Sequence, residues 1–182
     1  LARDDDADNL KEPLAEMGDV ARQALKEMRL LIYELRPPVL EEEGLLSALH
    51  QRLAAVEKRS GIEASLVIEE VVDLPVMMEE AFYYIAIEAL NNAIKHAAAT
   101  SVSLSLRTDD TWAEMEIADD GKGFDPGSDG RKGGMGLAGM HKRVEELGGT
   151  LTVHSIPGQG TKVTARLSYQ PDPRKRRIKA VS

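Results

Sequence analysis

The stretch EALNNAIKHA, residues 88–97, decides how the rest of the chain is interpreted. Its alanines, leucine and isoleucine predict a helix packed on a core, yet it also carries an acid, two amides, an ammonium and an imidazole. Glu88, Asn92 and Lys95 are spaced i, i+4 and i+7, so a regular helix places them on one face. The isoleucines just before this stretch indicate that the polar face is not simply in water. An ordinary surface pairing of Glu88 with Asn92 is the alternative, and this helix alone leaves both interpretations open.

Composition restricts the class of protein. The 182 residues carry a net charge of −8 and 42% hydrophobic residues, which is ordinary for a globular protein and argues against nucleic acid as a partner. The absence of cysteine excludes disulfides and thiolate metal sites, so a reducing, cytoplasmic setting is expected. No apolar run is long enough to span a bilayer. The sequence begins with Leu rather than Met and is expected to be part of a longer protein, whose upstream region could hold a membrane anchor.

The start of the chain predicts a long helix followed by a break. Residues 13–36 place apolar side chains at steps of three and four, the seam of a bundle or coiled coil that needs partner helices. The seam comprises Leu14, Met17, Ala21, Ala24, Met28, Leu31 and Leu35. Pro37 and Pro38 cannot continue a helix, so a hinge is expected there.

Beyond the hinge the pattern predicts a mixed α and β domain. Helices are expected at about residues 44–58, 75–97 and 137–147. Strands are expected at IEASLVIEE, SVSLSLRT, WAEMEIAD, TLTVHSI and TKVTARLSY. Residues 120–136 are rich in Gly, Asp and Lys and lack periodic apolar residues, which indicates a functional lid or a disordered segment.

Two polar residues continue the core-facing rows of predicted strands. Asp119 has the parity of the apolar residues that begin at Ala113, and Thr161 heads the apolar row that continues with Val163. A carboxylate aimed inward is costly unless it finds a donor, and a purine amino group is a donor of that kind. The alternative, that both residues end their strands at a solvated rim, stays open at this point.

Glycines follow the inward carboxylate and precede the last helix. Gly121 and Gly123 lie in DDGKGF, and Gly134 and Gly136 lie in GGMGLAGM. Glycine lets a backbone approach a ligand closely, and a helix N-terminus offers free N–H groups to an anion. With Gly139 the second group matches G-x-G-x-x-G, but no strand precedes it and no acid follows at the required distance. The sequence also lacks a P-loop, so a phosphate site here needs a different architecture.

Four stretches, EALNNAIKHA, DDGKGF, GGMGLAGM and GQGTKVTARL, resemble in order and spacing the N, G1, G2 and closing boxes of the sensor histidine kinase ATP-binding domain. That domain is a Bergerat-type ATPase, like those of gyrase, MutL and the heat-shock chaperones, and the resemblance extends from about Leu45 to Leu167. Upstream, ALKEMRLLIYELRPPVLEEEGLLSAL is similar to the second dimerisation helix and linker of the nitrate-sensor-type subfamily.

The resemblance implies the fold class and the domain organisation. The fold is expected to be α+β, a two-layer sandwich with a mixed sheet covered on one face by helices and preceded by a dimerisation-type α-helix. Residues 1–38 are then the remnant of the helical dimerisation and phosphotransfer domain, residues 43–170 the ATP-binding domain and residues 171–182 a basic tail.

The resemblance also implies roles for the polar residues of the helix. Asn92 would supply a carbonyl ligand to Mg²⁺, a hard cation that prefers oxygen. Lys95 would contact a phosphate, and His96 would assist at the sugar or the phosphates. Glu88 is the catalytic candidate, because it occupies the position of the acid that activates water in gyrase-like relatives. In this subfamily it would either polarise the nucleophile or order the water shell of the metal.

The adenine and lid positions follow in the same way. Asp119 would accept a hydrogen bond from the adenine amino group, with Thr161 close by, directly or through water. Gly121 and Gly123 would let the base lie against the backbone. The hinge of a lid over the triphosphate would comprise Gly134, Gly136 and Leu137.

The implied function is transfer of the ATP γ-phosphoryl group to a histidine, for relay to an aspartate of a response regulator. The family's acceptor histidine lies on an earlier helix, in an R-x-x-H-D-like context that this chain lacks. We therefore interpret all four histidines as non-acceptors: His50, His96, His141 and His154. The acceptor helix is expected ahead of residue 1, and the parent protein is expected to form a homodimer through its helical region.

Two other functions are compatible with part of this pattern. Anti-sigma-factor serine kinases carry a similar E-x-x-x-N helix but lack the LRP helix and linker present here at residues 35–37. A non-catalytic dimerisation and docking module with a degenerate nucleotide site is the other alternative, against which the intact boxes argue.

Overall fold

The computed structural model describes residues 17, 37–69, 71–72, 74–109, 111–125, 135–170 and 177–178. The chain divides into two compact units, Leu1–Pro38 and Val39–Ser182. Apart from Met17, which is helical and exposed, the predicted helix at residues 13–36 lies outside the described residues. The features below belong to the second unit and to the helix that leads into it.

The described part of the chain contains three α-helices, one π-helical segment and seven strands. In chain order they are α1 (Pro38–Ser60), β1 (Glu63–Glu69), β2 (Val71–Val72), α2 (Val76–Asn92), the π-segment (Ala93–Ala97), β3 (Ser101–Thr108), β4 (Trp112–Asp119), α3 (Met135–Glu146), β5 (Thr150–Ser155), β6 (Thr161–Ser168) and β7 (Arg177–Ile178). Five strands form one sheet in the order β1-β3-β4-β6-β5, and β2 pairs separately with β7. Only β1 and β3 run parallel in the large sheet, so it is mixed, as predicted.

The sheet has one apolar face, and the helices cover it. Alternate residues of β3, β4 and β6 are fully buried, for example Leu104, Met115 and Ala165, as strand periodicity requires. They belong to one core cluster with buried residues of all three helices, among them Leu49 of α1 and Phe82 of α2. The predicted two-layer α+β architecture is therefore confirmed.

The opposite face of the sheet carries an ion cluster around Trp112. Glu114 is only 9% exposed; it pairs with Arg107 of β3 and lies 3.8 Å from Arg166 of β6. The two guanidinium groups lie 5.7 and 4.3 Å from the Trp112 ring centroid. Each contact joins neighbouring strands, so the cluster ties together the three central strands.

The helix boundaries differ from the prediction in two places. The helix expected from about Gly44 is present, but an additional helical stretch, residues 38–43, precedes it and has proline in its first turn; the non-helical backbone of Gly44, whose φ is +78°, separates the two stretches within α1. The helix expected to continue regularly to residue 97 changes at Asn92, where α2 ends and the π-segment begins. The second difference changes the geometry of the predicted site.

Candidate functional site

Asp119 and Thr161 are directly paired at the ends of neighbouring strands β4 and β6. Both side chains are partly buried. The backbone N–H of Gly121 donates to Asp119 Oδ1 at 2.9 Å. Burial raises the pKa of the Asp119 carboxyl, backbone hydrogen bonds from Gly121 and Thr161 oppose this, and the charge of Asp120 adds to it. An ionised carboxylate that is this poorly solvated is stabilised by any further donor that a ligand brings.

The neighbouring Asp120 has a different environment, which the sequence did not distinguish. It is exposed, and its two carboxylate oxygens accept from Thr100 N at 2.7 Å, Thr100 Oγ1 at 2.6 Å and Ser101 N at 2.9 Å. These hydrogen bonds, that of the Thr100 side chain first, lower the pKa of the Asp120 carboxyl far below its ordinary value. Asp120 therefore fastens the end of β4 to the start of β3, while Asp119 is left for the site.

The two predicted G1 glycines are required by contacts within the protein. A Cβ on Gly121 would lie 2.5 Å from both the Cβ and the carbonyl oxygen of Ala97, and the next N–H, of Lys122, donates to that oxygen at 2.7 Å. Gly123 has a φ of +57° and passes against the carbonyl of Ile156. The loop after Asp119 is thus wedged between the end of the π-segment and the β5–β6 hairpin, which brings the helix and the sheet end together.

Gly160 is a further glycine of this site that the sequence analysis did not assign. Its φ is +81°, and a Cβ there would overlap the carbonyl oxygen of Asp119. The signal was available in GQGT, since a glycine directly before the inward Thr161 indicates a close approach of two strands.

Asn91 and Asn92 occupy different environments on α2. Asn91 Oδ1 accepts from Arg52 Nη2 of α1 at 2.6 Å, so this amide joins two helices. Asn92 is partly exposed and makes no side-chain hydrogen bond within the described residues. The second of the two amides is therefore the one available to a ligand.

The π-segment changes the predicted alignment of Glu88, Asn92 and Lys95. Its i→i+5 hydrogen bonds give more than four residues per turn, whereas the i+7 relation assumes a regular α-helix. Lys95 is therefore rotated further about the helix axis away from Asn92 than a regular α-helix predicts. His96 follows Asn92 by nearly one full turn, so it lies closer than Lys95 to the side of the helix that carries Asn92. Both Lys95 and His96 are exposed.

Glu88 lies against the start of α3. A Cβ on Gly136 would overlap Glu88 Oε1 and stand 2.7 Å from Glu88 Cδ. A carboxylate is favourable at a helix N-terminus, so Glu88 has a structural contact as well as its predicted catalytic role. Leu137 is partly buried against the core, and Gly134 lies outside the described residues.

Residues on both sides of segment 126–134 make contacts that fix where the flanking chain lies. On one side, the Phe124 N–H donates to Ser155 of the hairpin at 2.9 Å. On the other side, Gly136 lies against Glu88, and the Arg143 guanidinium lies 4.4 Å from the Tyr84 ring centroid, which holds α3 on α2. Of the residues that flank this segment, Phe124 is therefore held on the β5–β6 hairpin and Gly136 on the Glu88 side chain of α2.

These residues fit a nucleotide and a magnesium ion held partly by that nucleotide. The sheet end offers acceptor oxygens beside a glycine-lined turn, as a donor-bearing base requires. No group of three or more His, Asp or Glu among the described residues is arranged to hold a metal. Mg²⁺ commonly uses one or two protein oxygens together with waters and substrate phosphates, and the amide of Asn92 suits that arrangement.

Comparison with known proteins gives matches over nearly the whole chain. Residues 77–171 match the family model of the histidine kinase-, DNA gyrase B-, and HSP90-like ATPases, and residues 1–40 match a model described as histidine kinase. A sensor-like histidine kinase of Chloroflexus aurantiacus is 35% identical over 173 residues, which cover 90% of this chain and 29% of that protein. The sensor histidine kinase MctS of Rhizobium johnstonii is 37% identical over 79% of this chain and 32% of its own length. DegS of Brevibacillus brevis, a signal transduction histidine-protein kinase/phosphatase, is 31% identical over 90% of this chain and 42% of its own.

Solved structures agree on the fold. The histidine kinase domain of the Erythrobacter litoralis blue-light activated kinase EL346 superposes with a TM-score of 0.53 and 26% identity, over 65% of this chain and 58% of that one. The mycobacterial sensor histidine kinase MprB gives the same TM-score at 23% identity, over 70% of this chain and 96% of that one. The chain spans less than half the length of the curated relatives named above. None of the helices in the described regions is long and apolar enough to cross a membrane.

Proposed function

The chain belongs to the family of histidine kinase-, DNA gyrase B- and HSP90-like ATPases, and we propose that it is the ATP-binding catalytic part of a two-component sensor histidine kinase. The observation that carries this proposal is the pairing of Asp119 with Thr161 at the sheet end. There burial raises the pKa of the Asp119 carboxyl, so a further hydrogen-bond donor would favour its charged form. The adenine amino group is the proposed donor.

We assign the nucleotide contacts by the position of each side chain. Asp119 and Thr161 hold the base, and Gly121 and Gly123 shape the turn beside it. Asn92 offers its amide oxygen to Mg²⁺. Bound ATP supplies the γ-phosphoryl group, and its metal neutralises phosphate charge. The remaining contacts to the phosphates and the lid come from Lys95, His96, Gly134, Gly136 and Leu137.

Glu88 is the proposed catalytic residue. Phosphoryl transfer depends mainly on positioning and charge neutralisation, so a strong base is not required. A carboxylate four residues before Asn92 is suitably placed either to orient the nucleophile or to order the water around the metal. Its contact with Gly136 makes the position of that carboxylate dependent on the start of α3.

The acceptor in this proposal is a histidine on an upstream helix, and the final recipient is an aspartate of a response regulator. The match of residues 1–40 to a histidine kinase model supports assigning residues 1–38 to the helical dimerisation region. Residues 43–170 are the proposed ATP-binding domain and residues 171–182 a basic tail. The reaction is proposed to occur in the cytoplasm, as part of a homodimer.

Nucleotide binding tests the proposal. We expect Asp119→Asn to weaken binding of a fluorescent ATP analogue with Mg²⁺ about 30-fold or more, from the loss of ~2 kcal/mol in a charged hydrogen bond. The asparagine oxygen stays with the Gly121 N–H, and its NH₂ group then meets the amino group of the base donor to donor. Asp109→Asn, the same substitution before the other end of β4, is the matched control. Undiminished binding by Asp119→Asn would contradict the adenine assignment.

Phosphotransfer separates the kinase classes. The chain is incubated with labelled ATP, Mg²⁺ and a separately supplied acceptor helix containing an H-D motif. Acid-labile, alkali-stable phosphate on that helix is the expected result, because phosphohistidine hydrolyses in acid. Acid-stable phosphate would indicate a serine kinase, and nucleotide binding without transfer would indicate a docking module.

A further inference from the structure

Ser155 lies at the centre of the candidate base site, and neither the proposed roles nor the sequence analysis uses it. It ends β5, is 8% exposed and pairs in register with Thr161. We infer that Ser155 is a positioning residue that makes the Thr161 hydroxyl a hydrogen-bond acceptor and so sets a preference for purines with a 6-amino group. This inference rests on the proposed function, since it concerns the same base site.

Three groups surround the Ser155 hydroxyl oxygen. The backbone N–H of Phe124 donates to it at 2.9 Å. The carbonyl oxygen of Gly160 lies at 3.1 Å and can only accept from it. The hydroxyl oxygen of Thr161 lies at 2.9 Å and can either donate or accept.

Counting protons selects one arrangement. Serine has one hydroxyl hydrogen and two lone pairs. All three hydrogen bonds form together only if Ser155 donates to Gly160, accepts from Phe124 and accepts from Thr161. In the reverse arrangement the Gly160 carbonyl, which belongs to a buried residue, would keep only the long 3.4 Å bond from the Ile156 N–H.

The selected arrangement uses the only hydrogen of the Thr161 hydroxyl. Thr161 then presents lone pairs alone to a ligand. Its strand partner Asp119, when ionised, also carries no hydrogen to donate. Two adjacent acceptors favour an exocyclic amino group and disfavour a carbonyl at the same position, because a 6-oxo purine would place an acceptor against acceptors.

A matched pair of nucleotides tests whether the site offers hydrogen-bond acceptors, and no donor, to the purine 6 position. ATP and inosine triphosphate carry the same sugar and phosphates and differ only at the edge of the base: ATP has a 6-amino group and an unprotonated N1, and inosine triphosphate has a 6-oxo group and an N1–H. Dissociation constants of both are measured with Mg²⁺ for the wild-type chain, Ser155→Ala and the control Ser168→Ala, whose serine is exposed at the far end of β6. Melting temperatures are measured alongside.

We expect Ser155→Ala to lower the preference for ATP over inosine triphosphate roughly 5- to 10-fold, the scale of one hydrogen bond. The freed Thr161 hydroxyl can then donate to a 6-oxo group. In a Thr161→Val background the same change should leave the preference unaltered, because no hydroxyl remains to be oriented. Ser168→Ala should match the wild type throughout. If Ser155→Ala does not fold, Ser155→Cys, which fills the same space with a weak hydrogen-bonding group, should shift the preference in the same direction.

The outcomes separate this inference from the proposed function. If ATP binding depends on Asp119 but Ser155→Ala and Ser155→Cys weaken both nucleotides equally, Ser155 has only a structural role and the inference fails alone. If the preference changes equally in the Thr161→Val background, the route through Thr161 is wrong. If the wild-type chain binds neither nucleotide, the proposed function and the inference fail together.

Discussion

At the scale of single residues, the adjacent Asp119 and Asp120 show how environment divides two identical side chains. Burial disfavours the charged form of Asp119, whereas hydrogen bonds from Thr100 and Ser101 favour the charged form of Asp120. The parity of β4 allowed Asp119 to be predicted from the sequence. The role of Asp120 could not be predicted, because its donors are about 20 residues away along the chain and meet it only when β3 and β4 pair.

The opposite pKa shifts predict opposite effects of asparagine on stability. Asp120 stabilises the fold above its usual pKa of 3.8, and this contribution is lost as the pH falls below it, so Asp120→Asn should lower the melting temperature at pH 7. The Asp119 carboxyl stabilises the fold when the pH is below its usual pKa. This contribution is lost as the pH rises through the raised pKa that the carboxyl has in the folded protein. Asp119→Asn should therefore leave the nucleotide-free melting temperature at pH 7 unchanged or higher.

Melting curves of the two variants and the wild type between pH 3 and 7 test this contrast. The difference between wild type and Asp120→Asn should shrink towards pH 3. A lower melting temperature for Asp119→Asn at pH 7 would show that its carboxylate is satisfied within the protein and needs no ligand.

The two neighbouring asparagines of α2 allow a similar comparison. Asn92→Ala should abolish the Mg²⁺ dependence of ATP binding while leaving the melting temperature nearly unchanged, because its amide has no partner within the described structure. Asn91→Ala should retain that dependence but cost about 1–3 kcal/mol of stability by leaving Arg52 without its acceptor. Titrations with and without EDTA and urea unfolding measure the two effects. Equal loss of Mg²⁺ dependence in both variants would exclude a specific role for Asn92.

At the scale of elements, the π-segment is the feature that the sequence analysis missed. AIKHA has nothing that marks it as other than a regular α-helix, because alanine, isoleucine and lysine are all compatible with one. The segment ends at Ala97, which contacts Gly121, and the next residue, Ala98, has a left-handed conformation with φ +51°. The wider turn is thus found where the helix meets the loop after β4, a tertiary contact that local pattern cannot reveal. Single-turn π-segments are frequent at functional sites.

Glycine substitutions test the contact between the π-segment and the loop. Gly121→Ala places a methyl group 2.5 Å from the Ala97 carbonyl oxygen and should destabilise the fold by ~1–3 kcal/mol, the range found for overpacking. Gly139→Ala, in open space within α3, should instead stabilise the fold by ~0.5–1 kcal/mol through helix propensity. Urea unfolding measures both. A neutral Gly121→Ala would mean that the loop does not pack closely on Ala97.

At the scale of the whole molecule, alternation and helix periodicity were sufficient to predict the two-layer fold. The five strands of the large sheet, their core-facing rows and the covering helices were evident as local patterns. The two-residue strands β2 and β7 were not, and β7 lies in the stretch predicted to be a basic tail. The Glu114 ion cluster and the Ser155 network were not, because each depends on residues that strand pairing brings together. The residues that the sequence singles out most clearly are those that break a local pattern, such as Asp119 and Asn92, and their roles in binding stay predictions.

The central claim is that one nucleotide joins Asp119 at the sheet end to Asn92 on the covering helix. A crystal structure of the chain with Mg²⁺ and a non-hydrolysable ATP analogue tests it most directly. We predict the 6-amino nitrogen within ~3 Å of an Asp119 carboxylate oxygen. In the same complex the Asn92 amide oxygen should lie ~2.1 Å from the metal. A nucleotide bound elsewhere, or one that contacts only one of these two residues, would contradict the claim.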